Sequence, residues 1–240
     1  MLAALRRRIE KSLKIDHECL HTYVADLGPG SVVVDLGAHV GQFSKAMAGR
    51  FRATCYAVEP SPDLFRSIPS DDLIRPVQAA IAGEDGPVLF YPHDNAESGN
   101  TLGRLPRSDA PCPVEGVRFD SLLKKLAIGR IDLLKIDIEG SEVALFEGTD
   151  DRLLENVRQI TVEFHDFVPE LDMAEKTRAI VHRLESLGFL VHNHFRLNHI
   201  DMLFLNTRKF RFPFLLTAYL RWMRIYFRLR NLYPRVKTCV

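Results

Sequence analysis

The chain has 240 residues, a net charge of +1 and an ordinary globular composition, with 46% hydrophobic and 26% charged residues. That length allows one large α/β domain with an appended segment, and the composition excludes a collagenous, low-complexity or repeat protein. The near-neutral total hides an asymmetry. Residues 207–240 carry nine Lys/Arg and no acid, which leaves 23 bases against 31 acids in residues 1–206. An acidic catalytic body with a basic tail fits that split.

Cys19, Cys55, Cys112 and Cys239 are far apart and form no metal-ligand spacing, so they read as unpaired thiols in a reducing compartment. Residues 1–14 interrupt their apolar positions with Arg6, Arg7, Arg8, Lys11 and Lys14, unlike a signal peptide, and no later run reaches the ~20 apolar residues of a membrane span. A cytoplasmic location is expected, peripheral at the inner membrane face if the basic tail binds lipid.

In chain order, residues 2–15 and 18–27 are predicted as two amphipathic helices forming a lead-in over 1–29, stopped by Gly28-Pro29-Gly30. A first strand is expected at 31–36, a helix from Gly41 to about 50, and a second strand at 54–58 that exits at Glu59-Pro60. A helix at 62–68, a third strand at 74–79 and an additional strand at 87–91 follow. Residues 92–113, containing Ser98, are polar and rich in Gly and Pro, and a loop of that length is expected to be functional. The pattern resumes with a segment at 114–119, a helix at 120–126 and a fourth strand at 131–137. Helices at 142–147 and 150–156, a fifth strand at 159–164 and a helix at 174–187 come next, the last stopped by Gly188. Residues 189–194 and 202–205 look like a closing pair of strands. The alternation predicts a mostly parallel doubly wound α/β sheet over 30–206, with an antiparallel edge strand at its end.

The central stretch is Val32-Val33-Val34-Asp35-Leu36-Gly37-Ala38-His39-Val40-Gly41, a strand, a glycine turn and a helix start. Two cofactor classes use such a turn. Dinucleotide sites use Gly-x-Gly-x-x-Gly to seat a pyrophosphate, whereas here Asp35 stands two before Gly37. A carboxylate there repels pyrophosphate and suits the ammonium and sulfonium of S-adenosylmethionine (SAM). Glu59, 18 residues after Gly41, is placed to accept hydrogen bonds from both hydroxyls of an adenosine ribose.

The runs Val34–Gly41, Val58-Glu59-Pro60, Phe119-Asp120-Ser121-Leu122 and Lys135-Ile136-Asp137-Ile138-Glu139-Gly140-Ser141-Glu142 resemble the FkbM family of class I methyltransferases. The resemblance covers residues 30–170, and the last run is its most specific part. His39 stands where many members have Asn. The resemblance implies a Rossmann-like fold, SAM as cofactor held by Asp35, Gly37, His39, Gly41 and Glu59, and methylation of a hydroxyl on a sugar, glycolipid or other small product.

Such an acceptor must lose a proton, which calls for a nearby base. Asp137, at the exit of the fourth strand, is the first candidate, and His165 in Glu163-Phe164-His165 is its rival. Lys135 shares a strand face with Asp137 and, if buried, needs a partner such as Asp137 or Glu163. Glu139 and Glu142 divide evenly between capping the following helix and catalysis. Asp137, Glu139, Glu163 and His165 would make an acceptable set of ligands for a divalent metal, but no spacing demands one and no metal is expected. His192, His194 and His199 read as solvated strand histidines.

In the tail, 207–240, Arg221, Arg224 and Arg228 fall on one face of a helix between Pro213 and Pro234, amid many aromatic and aliphatic residues. It is expected either to pack on the domain or a second subunit, or to lie on an anionic membrane surface; nucleic acid is not an expected partner. Two other readings compete with an O-methyltransferase. One is a non-catalytic protein of the same fold, recruited through its tail. The other is an N- or RNA methyltransferase, for which an Asn/Asp-Pro-Pro-Tyr motif after the fourth strand would be expected in place of Asp137-Ile138-Glu139-Gly140.

Overall fold

The computed structural model describes residues 10–92, 99–100, 110–168, 171–193, 199–209, 218–219 and 222. From the N-terminus, Ile15–Glu18 (β1) and His21–Val24 (β2) pair as a hairpin. Val32–Leu36 (β3), Thr54–Val58 (β4) and Ile74–Val77 (β5) alternate with the helices Gln42–Phe51 (α1) and Pro62–Phe65 (α2). Ala80–Ile81 (β6), Gly86–Pro92 (β7), Gly99–Asn100 (β8) and Cys112–Val117 (β9) form a second, smaller sheet. Phe119–Lys125 (α3) leads into Leu133–Ile136 (β10), and Glu142–Glu147 (α4) and Asp151–Leu154 (α5) lead into Gln159–Val162 (β11). Ala174–Ser186 (α6) precedes Phe189–Asn193 (β12) and Met202–Asn206 (β13).

The main sheet has seven strands in the order β12-β13-β11-β10-β3-β4-β5. β3 pairs in parallel with β10 and β4, β4 with β5, and β10 with β11. Only β13 runs the other way, against β11 and β12. The mixed, mostly parallel sheet agrees with expectation, though β13 lies one place in from the edge. The β11–α6–β12 crossover skips one position, and the return from β12 fills it antiparallel. Pro76 sits in β5, an edge strand, where its missing N–H costs no ladder bond.

The central strands are buried on both faces, and their alternation sorts the core. Val33, Cys55, Ala57 and Leu133 pack against Phe43, Met47 and Ala48 of α1 and Tyr23 of β2. Val34, Leu134, Ile136, Ile160 and Val162 pack on the other side with Phe146 of α4 and Ile180 and Leu184 of α6. Helices therefore cover both faces, and the strand ends at residues 36, 58, 136 and 162 emerge along one rim.

The helix expected at 18–27 is instead the hairpin β1–β2. Cys19 and Leu20 take left-handed φ values of 47° and 64°, as a two-residue primed turn requires. All four residues of β2 are buried, which an amphipathic surface helix does not allow. Gln159 fixes the strand with a two-way bond: its Oε1 accepts from Val24 N at 2.9 Å and its Nε2 donates to Val24 O at 3.1 Å. Tertiary capture of Thr22, Tyr23 and Val24 overrides a helical spacing that sequence alone favours. Residues 10–12 keep a helical turn, and residues 1–9 lie outside the described residues.

The third strand ends at Val77, and Ala80–Ile81 passes to the smaller sheet, pairing in parallel with β9. Of the long polar stretch, Gly99 and Asn100 pair with Pro92 and Tyr91, and Ser98 lies outside the described residues, as does His194. The tail helix is also outside them, apart from residues 218–219 and 222. Tyr219 packs with Ile15, Val24, Leu203 and Leu205, and its hydroxyl bonds Glu10 at 3.1 Å. Among the described residues no helix is long and apolar enough to cross a membrane.

Candidate active site

The turn after β3 is tied to its neighbours by backbone. The amides of Gly37 and Ala38 both donate to Val58 O, at 3.0 and 2.9 Å. Gly37 has φ +75°, and a Cβ built on it would lie 1.7 Å from the carbonyl oxygen of Asp137. Glycine is needed at this point because the ends of β3 and β10 touch. Gly41, also at φ +75°, packs on Ile68, 3.0 Å from a would-be Cβ, and begins α1. His39 has φ 53°, and its amide donates to Glu59 Oε2 at 2.8 Å, while Glu59 Oε1 accepts from Ser61 N at 2.9 Å. Burial pushes the Glu59 carboxyl up to about 7, against the opposing pull of those two amides. Each of its oxygens keeps a free lone pair.

Asp35 is placed differently from the sequence-based expectation. It has no exposed surface; its Oδ2 accepts from Ser44 Oγ at 2.7 Å and its Oδ1 lies 3.3 Å from Lys135 Nζ. Its charge is therefore matched inside the protein by Lys135. Lys135, expected among the catalytic residues, is that buried partner. Its Nζ donates to Gly37 O at 2.6 Å and lies 3.6 Å from Asp137 Oδ2. Burial favours its neutral form, but Asp35 and Asp137 outweigh this and hold it protonated, with its pKa raised. It is a structural counter-ion under the glycine turn.

At the exits of β10 and β11 the chain gathers an acidic cluster. Burial would raise the Asp137 pKa, yet the Lys135 charge, with that of His165, holds it well below the usual carboxylate range. Asp137 is thus a fixed anion that accepts hydrogen bonds readily and protons poorly. Glu163 is pushed up to about 7, by burial and then by the Asp137 charge. Glu142 is fully buried and its Oε1 accepts from Gly140 N at 3.0 Å and Ile138 N at 3.3 Å. It braces the loop in which Glu139 is forced to φ 52°, just ahead of the helix it was expected to cap.

His165 lies between acids. Its Nδ1 is 3.0 Å from Glu142 Oε1 and its Nε2 is 3.2 Å from Glu139 Oε2. Burial opposes its charge, but the bonds to Glu139 and Glu142 prevail and raise its pKa to about 11. With each ring nitrogen turned to a carboxylate, the imidazole offers no lone pair to an acceptor, which argues against His165 as the base. It remains at the site as a cation, 3.9 Å from Asp137 Oδ1 and 4.0 Å from Glu163 Oε1. The structure thus brings Asp35, Gly37, Lys135, Asp137, Glu163 and His165 into one neighbourhood, with His39, Gly41 and Glu59 at the glycine turn.

Sequence reasoning missed His21. The hairpin carries this buried ring onto the cluster, with its Nε2 3.7 Å from Asp137 Oδ2 and its Nδ1 3.3 Å from Thr161 Oγ1. The available signal was the β-branched and aromatic run Thr22-Tyr23-Val24, which favours a strand. His192 is buried and so is not the solvated residue expected. His199 bonds Asp166 at 2.5 Å.

This strand order, with a glycine turn after the central strand, an acid after its neighbour and carboxylates at the next two strand exits, defines a Rossmann-like methyltransferase. The family model of the methyltransferase FkbM domain matches residues 35–191, and the chain belongs to that family of SAM-dependent methyltransferases. It is 28% identical over 183 residues to 31-O-demethyl-FK506 methyltransferase FkbM of Streptomyces tacrolimicus, covering 62% of this chain and 70% of that protein. Against the hexuronic acid methyltransferase AglP of Haloferax volcanii it is 20% identical over 170 residues, 69% of each chain. The fibrillarin of Methanococcus jannaschii aligns with 83% of this chain and 74% of its own, at 11% identity and a TM-score of 0.45.

Proposed function

We propose that this chain transfers the methyl group of SAM to a hydroxyl of a small product, with sugars and glycolipids the leading acceptors. The observation that carries this reading is the pair of carboxylates, Asp137 and Glu163, at adjoining strand exits beside the glycine turn. Asp137 is 30% exposed and Glu163 16%, open enough to meet a ligand. The substrates named for two relatives, 31-O-demethyl-FK506 and a hexuronic acid, support a small acceptor. We assign the catalytic unit to residues 30–206 together with the hairpin β1–β2.

In this mechanism Glu59 accepts the ribose hydroxyls of SAM and the turn Gly37–Gly41 lines its other side. Asp137 orients the acceptor hydroxyl, and Glu163 Oε takes its proton. The hydroxyl oxygen then forms a bond to the methyl carbon as the carbon–sulfur bond breaks, and that electron pair returns to sulfur to leave S-adenosylhomocysteine. Because the donor is already activated, alignment supplies most of the rate, and well-oriented reactants gain about 7–11 kcal/mol.

The test is transfer of radiolabel from methyl-labelled SAM to hydroxyl-bearing glycans, glycolipids and small products. Glu163→Gln is expected to lower kcat by ~10²–10⁴-fold and to leave the SAM Kd unchanged. Normal turnover in Glu163→Gln removes the base assignment, and absence of SAM binding in calorimetry removes the reading as a whole.

A further inference from the structure

The cluster at the rim holds one group with no role in the chemistry above. His21 is wholly buried, and its Nε2 is a buried nitrogen with no hydrogen-bond partner among the described residues. It points at Asp137 Oδ2, but at 3.7 Å the gap is too wide for a hydrogen bond. Leaving a buried polar atom unpaired is costly, so its position calls for a partner. The other ring nitrogen, 3.3 Å from Thr161 Oγ1, can donate its proton there. That tautomer turns a bare lone pair of Nε2 toward the acids, the arrangement by which an outer hydrogen bond orients a metal-binding histidine.

We propose that His21, Asp137 and Glu163 bind a first-row divalent cation, with open coordination positions that take the acceptor's oxygen. One ligand atom from each residue lies within 4.8 Å of the others. A cation about 2.0–2.2 Å from each draws them together by small rotations of side chains. Two carboxylate oxygens and one imidazole nitrogen suit Mn²⁺ or a neighbouring first-row ion better than Mg²⁺ or Ca²⁺, which prefer oxygen alone. The charge balance agrees. Among the described residues, Asp35, Asp137, Glu139, Glu142 and Glu163 meet Lys135 and His165 as cations, leaving the cluster rich in negative charge.

The placing of the acceptor on the cation rests on the O-methyltransferase reading; the ion site itself does not. Bound to the cation, a hydroxyl becomes more acidic. The cation lowers the proton affinity of the hydroxyl and of Glu163 together, and a Glu163 that binds through one oxygen keeps its second oxygen within reach of the released proton. The ligand set also differs from the one the sequence suggested. His165 is already held between Glu139 and Glu142, and His21 supplies the nitrogen in its stead.

The test uses full-length protein stripped with EDTA and titrated with Mn²⁺, the loss of the free-ion signal being followed by electron paramagnetic resonance. One Mn²⁺ per chain is expected without SAM. His21→Gln and Glu163→Gln should each weaken binding at least roughly tenfold, and Thr161→Val, which frees the ring, by ~10–100-fold. Glu84→Gln, in an exposed turn, should bind as wild type. If His21→Gln fails to fold, Thr161→Val and Glu163→Gln decide. No Mn²⁺ bound, or unchanged affinity in Thr161→Val and Glu163→Gln, overturns the site. SAM calorimetry in EDTA is run alongside. SAM binding without Mn²⁺ binding overturns the cation site alone, and failure of SAM to bind overturns the donor reading whatever Mn²⁺ does.

Discussion

Replacing Lys135 with Met removes one ammonium and keeps most of the stem's bulk. In the wild type that ammonium lies 3.3 Å from Asp35 and 3.6 Å from Asp137 and donates to the carbonyls of Gly37 and Leu36. Without it, fully buried Asp35 keeps the Ser44 hydroxyl but loses its counter-charge. Removing one partner of a buried ion pair costs about 3–5 kcal/mol, a large share of the ~5–15 kcal/mol that holds a domain together. At roughly 2–4 °C per kcal/mol for a chain of this size, the expected fall in Tm is about 6–20 °C. A thermal melt of the ligand-free protein, followed by circular dichroism, measures the fall in Tm, and urea denaturation measures the free energy. The double variant Asp35→Asn/Lys135→Met should recover much of the loss, because an amide at position 35 needs no cation and still accepts from Ser44. A loss under ~1 kcal/mol in Lys135→Met, or no recovery in the double variant, would show that the pair does not carry the structural weight assigned to it.

The ribose-binding role proposed for Glu59 makes SAM binding depend on pH. Its carboxyl is raised to about 7, so below that pH the empty site holds a proton that must leave before the ionised group can accept the ribose hydroxyls. SAM affinity should therefore rise with pH, by up to tenfold per unit, and level off above about 7. Calorimetry from pH 5.5 to 8 checks this, and a flat profile in wild type or a sloping one in Glu59→Gln refutes it. Gly37→Ala combines a left-handed backbone with a Cβ 1.7 Å from Asp137 O. It should cost about 2–5 kcal/mol from strain and overpacking and abolish SAM binding; a wild-type melt would contradict the strand contact. Cys19→Asn/Leu20→Gly supplies the residues a primed turn prefers and should stabilise the protein by ~0.5–2 kcal/mol, whereas a helix over this segment would be destabilised by the same change.

The main sheet was legible because its strands are short apolar runs, some of them β-branched like Val32-Val33-Val34 and Ile160-Thr161-Val162, closed by turn residues. The helices at 142–147 and 174–186 were legible from their spacing and stops. The hairpin was not, because what makes it a strand is distant: Gln159 and Asp201 bind Val24 and Thr22 across the fold. The same distance hid His21, which meets Asp137 only through the hairpin's docking. For His165 the residue was found and its role misjudged, since an imidazole's proton is set by neighbours that sequence order separates. Glu142, 23 residues upstream in the chain, is in contact with its Nδ1.

Asp35 answers a demand that its place in the turn does not reveal. Its position in the turn invites a direct contact with the cofactor's ammonium, yet the buried side chain bonds Ser44 and pairs with Lys135, whose own bond is to Gly37 O. Gly37 in turn admits the Asp137 carbonyl, and Lys135 reaches the Asp137 side chain. Asp35-Leu36-Gly37 and Lys135-Ile136-Asp137 thus form one interlocked unit of adjacent parallel strands, paired residue for residue in the order Asp35 with Lys135 and Leu36 with Ile136. The two runs that looked most like ligand contacts owe their residue types first to each other. They fix the distance between the glycine turn and Asp137, on which the in-line transfer of the proposed mechanism depends. It follows that Asp35→Asn alone, which strands Lys135 without its main partner, should disturb Asp137 as well as the turn. A rise in KM for the acceptor together with a weaker SAM Kd is therefore expected. A change confined to SAM would return Asp35 to the role of a direct ligand.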